Sequence, residues 1–409
     1  MKAWFFTEDA YPQLPDQDTY RSIRVNLPSK HYDPEIGADN YHQFLDMWLM
    51  AEELGLEIML NEHHQTATCV VPSVPIIAGI LARETKTARI LVLGNPLANL
   101  PRPTRTAEEM AMIDVLSRGR LECGFVRGVP YESAPANVLP YRGTERMWEA
   151  HDLIVKAWTS HDGPFNFEGR WFHARQVNVW PRPYQQPHPP IWVTIGSAGT
   201  AVPVAEHDYI GAVFLAGYPG VRRIFDGYRQ GYFARHGADA PLDRLAYCAL
   251  IYVADDEAEA KAGGEQLLWY MTSNKVATEY INPPGYHPPA VAAQIAGGNT
   301  GRALPSQTTL DEQMARGNMF CGTPDQVYEQ IEAFYEYSGG FGNLLIMGQA
   351  GHLTFEQTRR SMTLFSTEIY PRLKALTAAY DADTMKETRN ALPDKELADL
   401  GTFGVEFAR

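Results

Sequence analysis

Two stretches decide the fold: Asn61-Glu62-His63-His64, directly behind the apolar run Ile58-Met59-Leu60, and Phe125-Val126-Arg127-Gly128, which closes the run from Leu121. Each is a short apolar segment that ends in a charged or proton-exchanging group. Short apolar runs bounded by turns read as strands buried on both faces. In a parallel α/β barrel, binding and catalysis gather at the carboxyl ends of such strands. One strand end offers adjacent imidazoles, which exchange protons near neutral pH. The other offers a guanidinium, whose planar fork suits a phosphate. The pairing suggests a phosphate-bearing cofactor beside a proton-transfer group.

Working outward, strand-like runs fall at 3–6, 58–60, 90–93, 121–126, 190–195, 210–215, 245–253 and 344–347. Helical spacing of apolar residues appears between them, at 39–54, 75–83, 104–116, 144–158, from 200, 221–234, 256–272, 324–337 and 355–375. Thr104 is the expected cap of the third of these helices. A hairpin is expected around Glu168-Gly169-Arg170. Strands alternating with helices predict a (β/α)8 TIM barrel, placed in one domain over residues 1–375. Residues 8–38 read as a long loop. Residues 282–308, rich in Pro, Gly, Ser and Thr, read as an inserted mobile loop, and 376–409 as a peripheral tail.

The chain of 409 residues is 45% hydrophobic, enough for one large barrel, and carries a net charge of −14. That charge argues against nucleic acid and against an anionic membrane as partners. Cys69, Cys123, Cys248 and Cys321 form no CxxC pair, so neither a disulfide framework nor a zinc cluster is expected. The N-terminal apolar run is too short for a signal peptide, and no run approaches the roughly 18 residues of a spanning helix. A soluble cytoplasmic protein without a metal is the expectation.

A set of motifs then makes the reading specific. Glu62-His63-His64, Ala82-Arg83-Glu84-Thr85-Lys86-Thr87-Ala88-Arg89-Ile90, Arg105-Thr106-Ala107-Glu108-Glu109, Leu116-Ser117-Arg118-Gly119-Arg120-Leu121 and Phe125-Val126-Arg127-Gly128 occur in order. Gly196-Ser197-Ala198-Gly199-Thr200 and Gly322-Thr323-Pro324-Asp325-Gln326-Val327 come later. Together they resemble the bacterial luciferase-like flavin-dependent monooxygenases, closest to the branch of the luciferase alpha subunit. The resemblance implies an FMN-dependent monooxygenase that takes reduced FMN from a separate flavin reductase. It would react the flavin with O2 and oxygenate a lipophilic aldehyde- or ketone-like molecule through a flavin C4a-(hydro)peroxide. It also implies a homodimer, formed through the apolar faces of the helices at 75–83 and 104–116.

Residue by residue, His63 resembles the family's essential histidine, an acid–base group in a site that must exclude water. His64 is read as its support or a contact to the flavin ring, and Glu62 as the acceptor that fixes a tautomer. Arg127 matches the family's phosphate-binding arginine. Ser197 and Thr200 fall where the family contacts the same phosphate, at a helix start suited to anions. Gly196 departs from the family, which often has an acidic residue there. Gly94 and Asn95 end the third strand, where family members often carry a strained, sometimes cis, peptide beside the ring. Gly94 tolerates such strain and Asn95 offers a hydrogen bond to the ring edge. Val126 stands where the luciferase alpha subunit has a reactive cysteine, and Cys123 reads as a small core residue. Trp4, Phe6, Trp192, Phe214 and Trp269 are candidate pocket walls. Without the resemblance, His63-His64 reads first as a packed strand-end pair with ordinary hydrogen bonds. A metal-dependent hydrolase lacks a convincing ligand set. A deazaflavin- or FMN-dependent oxidoreductase without oxygen insertion, or a non-catalytic flavin-binding relative, remains the alternative. The substrate, hydroxylation against Baeyer–Villiger insertion, and the reductase are not written in the sequence.

Overall fold

A computed structural model describes residues 1–273, 276, 280, 288, 290 and 308–379. Most of the expected loop at 282–308, and the tail beyond 379, lie outside the described residues. The strands are β1 (Lys2–Thr7), β2 (Glu57–Leu60), β3 (Ile90–Pro96), β4 (Leu121–Val126), β5 (Phe165–Glu168), β6 (His173–Val177), β7 (Ile191–Thr194), β8 (Ile210–Phe214), β9 (Leu245–Val253), β10 (Met319–Gly322) and β11 (Asn343–Gln349). Eight of them pair in parallel in the order β9-β11-β1-β2-β3-β4-β7-β8, and β8 closes on β9. This is the expected eight-stranded barrel. β5 and β6 form the expected hairpin beside it.

β10 is a ninth strand that the apolar pattern does not announce. Its four residues pair with Leu250–Val253 of β9, past Cys248, the last residue of β9 paired with β8.

The helices are α1 (Pro34–Glu53), α2 (Val74–Glu84), α3 (Pro103–Leu116), α4 (Pro130–Ser133), α5 (Gly143–Thr159), α6 (Ala198–Glu206), α7 (Gly217–His236), α8 (Glu257–Ser273), α9 (Leu310–Arg316), α10 (Pro324–Ser338) and α11 (Phe355–Leu364). A π-turn at Phe365–Ile369 joins α11 to α12 (Tyr370–Ala379). α1 starts five residues earlier than its apolar pattern. Asp33 caps it by accepting from Glu35 N at 2.9 Å, and Pro34 takes the first turn. Thr104 is not a cap: Pro103 opens α3, and Arg102 holds the cap position without a side-chain bond. Proline at the first helical position needs no N–H partner, which moves the start upstream of Thr104.

Alternation along each strand divides the apolar side chains into two cores. Ala3, Phe5, Ile58, Leu60, Ile90 and Val92 pack outward against the helices. Trp4, Phe6, Met59, Leu91, Leu93 and Trp192 belong to the second cluster, which fills the bore. Trp4 and Trp192 meet edge to face with centroids 5.3 Å apart, and Trp4 Nε1 donates to Asn343 Oδ1 at 3.1 Å. Both are fully buried, so these two expected pocket walls are barrel filling. Below them the amino-terminal rim carries an ionic network. Glu122 accepts from Arg89 Nε and Trp192 Nε1, with Lys2 Nζ 3.7 Å away.

Candidate active site

The opposite rim holds the expected residues. β2 ends at Leu60, and Asn61–His64 follow at its carboxyl end. His63 Nδ1 donates to Glu132 Oε1 at 2.8 Å, and the same oxygen accepts from His64 N at 3.1 Å. A carboxylate accepts only, so it fixes the hydrogen on Nδ1 and leaves Nε2 with its lone pair. Arg24, which has only donors, agrees: its terminal nitrogen lies 3.5 Å from His63 Nε2. Glu132 sits on α4, a single turn opened by Pro130, in the loop after β4. The imidazole of one strand end is thus oriented by a carboxylate from another.

Glu62 serves His64. Its Oε1 lies 2.9 Å from His64 Nε2, and its Oε2 accepts from Val74 N, the first residue of α2, at 2.9 Å. The hydrogen bond that His64 donates to Glu62 raises the His64 pKa above the ordinary histidine value, against the lowering effect of burial. The imidazole that Glu62 meets is therefore that of His64, while His63 has its own carboxylate in Glu132.

Two further groups reach the same spot. Glu8 comes directly after β1 and is buried; its Oε2 lies 3.9 Å from both His63 Nε2 and the Arg24 guanidinium. Arg24 is buried too, donating to Tyr131 OH at 2.7 Å and Thr68 Oγ1 at 3.0 Å. Burial opposes its charge, but Tyr131 and Glu8 outweigh that and raise its pKa. Glu8, Arg24, Tyr131 and Glu132 were not expected. Glu8 stands just past a strand and Glu132 lies five residues past Arg127, which are weak signals. Arg24 lies inside the long loop and gives none.

The end of β4 presents Arg127. Burial lowers its pKa, and its aliphatic stem lies against Gly143, where an added Cβ would be 3.0 Å from Cγ. Gly128 takes φ +87°, and a Cβ there would come within 2.5 Å of Asn99 Nδ2. Next to this pair opens a cleft of about 390 Å³ lined by Asn99, Arg142, Arg146 and Trp171 among others. Upstream on β3, the Leu93–Gly94 peptide is cis, and Gly94 packs so tightly on Val126 and Gly124 that a Cβ would clash. The Asn95 side chain turns into the wall: its amide donates to Gly124 O at 3.0 Å and lies beside Met110 and Cys123. Cys123 is buried in the outer core, and burial pushes its thiol well up, in keeping with a packing role.

β4 and β7 are neighbours, pairing Phe125 with Val193, so Arg127 and Ser197 stand on adjacent strand exits of one rim. Ser197 caps α6. Its Oγ accepts from Thr200 N at 3.2 Å, and Thr200 Oγ1 accepts from Ser197 N at 3.0 Å and Gly196 N at 3.2 Å. Nothing lies within 4 Å of where side chains at Gly196 and Gly199 would begin. The helix terminus is therefore open to an incoming group. Phe214, half-buried, ends β8, and Trp269 meets His352 edge to face at 5.0 Å, beside Gly351. The rim thus joins a carboxylate-held imidazole, a half-buried arginine and an open helix start. Among the described residues no cluster of metal-ligating side chains forms, and no helix is long and apolar enough to cross a membrane.

Residues 23–340 match the family model for luciferase-like monooxygenases. The chain belongs to that family. Relatives include an uncharacterised Sinorhizobium fredii protein, y4wF, 32% identical over 51% of this chain and 63% of that protein. The oxygenase component of flavin-dependent trigonelline monooxygenase from Acinetobacter baylyi is 30% identical over 37% of this chain. That match spans 42% of the Acinetobacter protein, so both alignments stop short of two thirds of the relative's length. In fold, the chain is similar to the oxygenating constituent of 3,6-diketocamphane monooxygenase from Pseudomonas putida, solved in complex with FMN. The TM-score is 0.68 at 18% identity, covering 91% of this chain and 98% of the other.

Proposed function

We propose that this chain is the oxygenase of a two-component flavin-dependent monooxygenase, using reduced FMN from a separate reductase and O2 to oxygenate a lipophilic small molecule. The observation that carries the reading is the Glu132–His63 pair on the same rim as Arg127 and the open start of α6. The residues present suit an FMN phosphate. Arg127, half-buried, brings a positive charge, and the bare ground at Gly196 and Gly199 lets an anion approach the α6 amides. Arg127, Ser197 and Thr200 would hold the phosphate, with Gly94 close to the ring. Asn95, its side chain spent on Gly124, would act through its backbone. When bound, the reduced flavin supplies the electrons that activate O2.

The protein's own part is proton control. His63, held by Glu132, exchanges a proton at Nε2, and His64, held by Glu62, shields it on one side. The packed bore below keeps water from rising through the barrel. A single barrel domain over residues 1–375 and a homodimer through α2 and α3 complete the reading.

The test has two arms. Reduced FMN, then O2, is given to native protein with a panel of aldehydes and ketones, and substrate-dependent oxygen uptake is measured with ¹⁸O tracing. One labelled atom in the product is expected. Binding of a deazaflavin in place of FMN, or FMN binding without substrate-dependent uptake, overturns the proposal. In the second arm, Arg127→Ala weakens FMN binding roughly tenfold or more, in keeping with loss of a charged hydrogen bond. His63→Ala spares binding and removes turnover. Normal behaviour in both variants would overturn the site.

A further inference from the structure

Glu8 Oε2 is buried and has no hydrogen-bond partner among the described residues. A buried carboxylate oxygen without a donor is unfavourable, so its persistence at the barrel mouth asks for a donor that arrives during function. Two candidates lie equally near, at 3.9 Å: the Arg24 guanidinium and His63 Nε2. Arg24 gives Nε to Tyr131 and Nη1 to Thr68, and its Nη2, the nitrogen nearest Glu8, is turned to His63 Nε2 at 3.5 Å. His63 is different. Its Nδ1 side is fixed on Glu132, while its Nε2 side changes from acceptor to donor when the ring takes up a proton.

Charged and titratable groups face the ring from several elements. Glu8 meets it from the end of β1, with Asp9 behind; Glu62 and His64 flank it in the chain. Arg24 comes from the loop before α1, with Tyr270 of α8 in its field. Tyr131 and Glu132 come from α4. In the neutral ring, Arg24 points a donor at the Nε2 lone pair from 3.5 Å. A proton on Nε2 sets donor against donor there. Among these groups Glu8 is the acceptor in reach, and a closure of about 1 Å brings it to hydrogen-bond distance.

We propose that Glu8 is a positioning residue for His63, taking the Nε2 hydrogen of the protonated ring so that Glu132, His63 and Glu8 form one line that holds a proton. The proton arrives at Nε2 and leaves from it. The other hydrogen stays on Nδ1, donated to Glu132 Oε1 throughout, and no electrons move. The Arg24 donor suits the bare Nε2 and the Glu8 acceptor suits Nε2 bearing hydrogen, so the two groups meet the same ring nitrogen in opposite senses. The inference rests on His63 being the acid–base group of the proposed reaction.

Its test needs no cofactor. Imidazole ¹⁵N signals of the full chain are tracked through a pH titration in native protein and in variants, with His63→Gln assigning the resonance. In Glu8→Gln the midpoint of the His63 titration is expected to fall, because the imidazolium loses its second carboxylate. Glu8→Asp keeps the charge but withdraws the oxygen, and restores only part of that shift. Arg24→Gln moves the midpoint the other way. An unchanged midpoint in Glu8→Gln, full restoration by Glu8→Asp, or a fall in Arg24→Gln overturns the proposal. If the midpoints move as expected while the native protein shows no substrate-dependent oxygen uptake, the monooxygenase reading fails and the Glu8–His63 pairing stands. If the protein is a monooxygenase, the acid limb of its kcat profile shifts in step with the NMR midpoint in Glu8→Gln.

Discussion

His64 Nε2 and Glu62 Oε1 lie 2.9 Å apart, and the other oxygen of that carboxylate holds the first amide of α2. One side chain therefore ties the β2 exit to the next helix and favours the charged form of the imidazole. The raised His64 pKa fixes the sign of a pH effect. A histidine whose folded pKa is raised contributes stability in full below its unfolded pKa of about 6.5, and the contribution is lost as pH rises through the folded value. His64→Gln should cost most at about pH 5.5 and progressively less toward about pH 9, by under about 1 kcal/mol because the pair is part-exposed. Urea midpoints across that range check this. A pH-independent difference would sink it.

Gly128→Ala should damage the phosphate end of the site without touching a ligand. The backbone there has φ +87°, and the new methyl would meet Asn99 Nδ2 at 2.5 Å. Strain and overlap together cost about 1–3 kcal/mol. Because Gly128 is bonded directly to Arg127, FMN affinity should fall in the same variant. A thermal scan and a flavin titration are the two measurements. Unchanged values in both would show that the loop relaxes freely.

The sequence made the eight barrel strands readable because their apolar runs are buried on both faces, which leaves little polar residue to blur them. β10, Met319–Gly322, was passed over: it pairs only with the end of β9 and stands outside the closed set of eight. At the mouth, Glu62-His63-His64 and Arg127 stood out as charges at strand ends. Their partners did not. Glu132 lies 69 positions from His63 and Arg24 lies 39 away. Such pairs are set by which loops the closed barrel brings over the same rim, and local spacing carries no trace of that. Asn95 shows the opposite failure. Its place at a strand end was readable, but which way its amide faced depended on Gly124 and Met110.

The far rim supplies a contrast. Glu122 accepts from Arg89 and Trp192 where the strands begin, away from the candidate site. Glu122→Gln should destabilise the fold by about 1–3 kcal/mol, since one buried acceptor and its charge are lost. FMN affinity should stay within about twofold of native, because this rim serves stability. Denaturation paired with flavin titration tests the separation. A large affinity loss in a folded variant would contradict it.

α2 and α3 expose Ile76, Ile80, Met112, Val115 and Leu116, five large apolar side chains on two helices that pack together. Such a face suits the proposed homodimer. Ile76→Asp combined with Met112→Glu should convert the sedimenting species from dimer to monomer at micromolar concentration. A native chain that already sediments as a monomer would refute the dimer.

Arg127 and Glu132 lie five positions apart in one short piece of chain between β4 and α5. A tilt that seats the guanidinium on an anion must travel through Gly128, Val129 and Pro130 into the carboxylate that steers His63. Anyone transplanting this loop between relatives should carry the whole piece as one part. Splicing inside it would leave an anchor and a rudder cut from different boats.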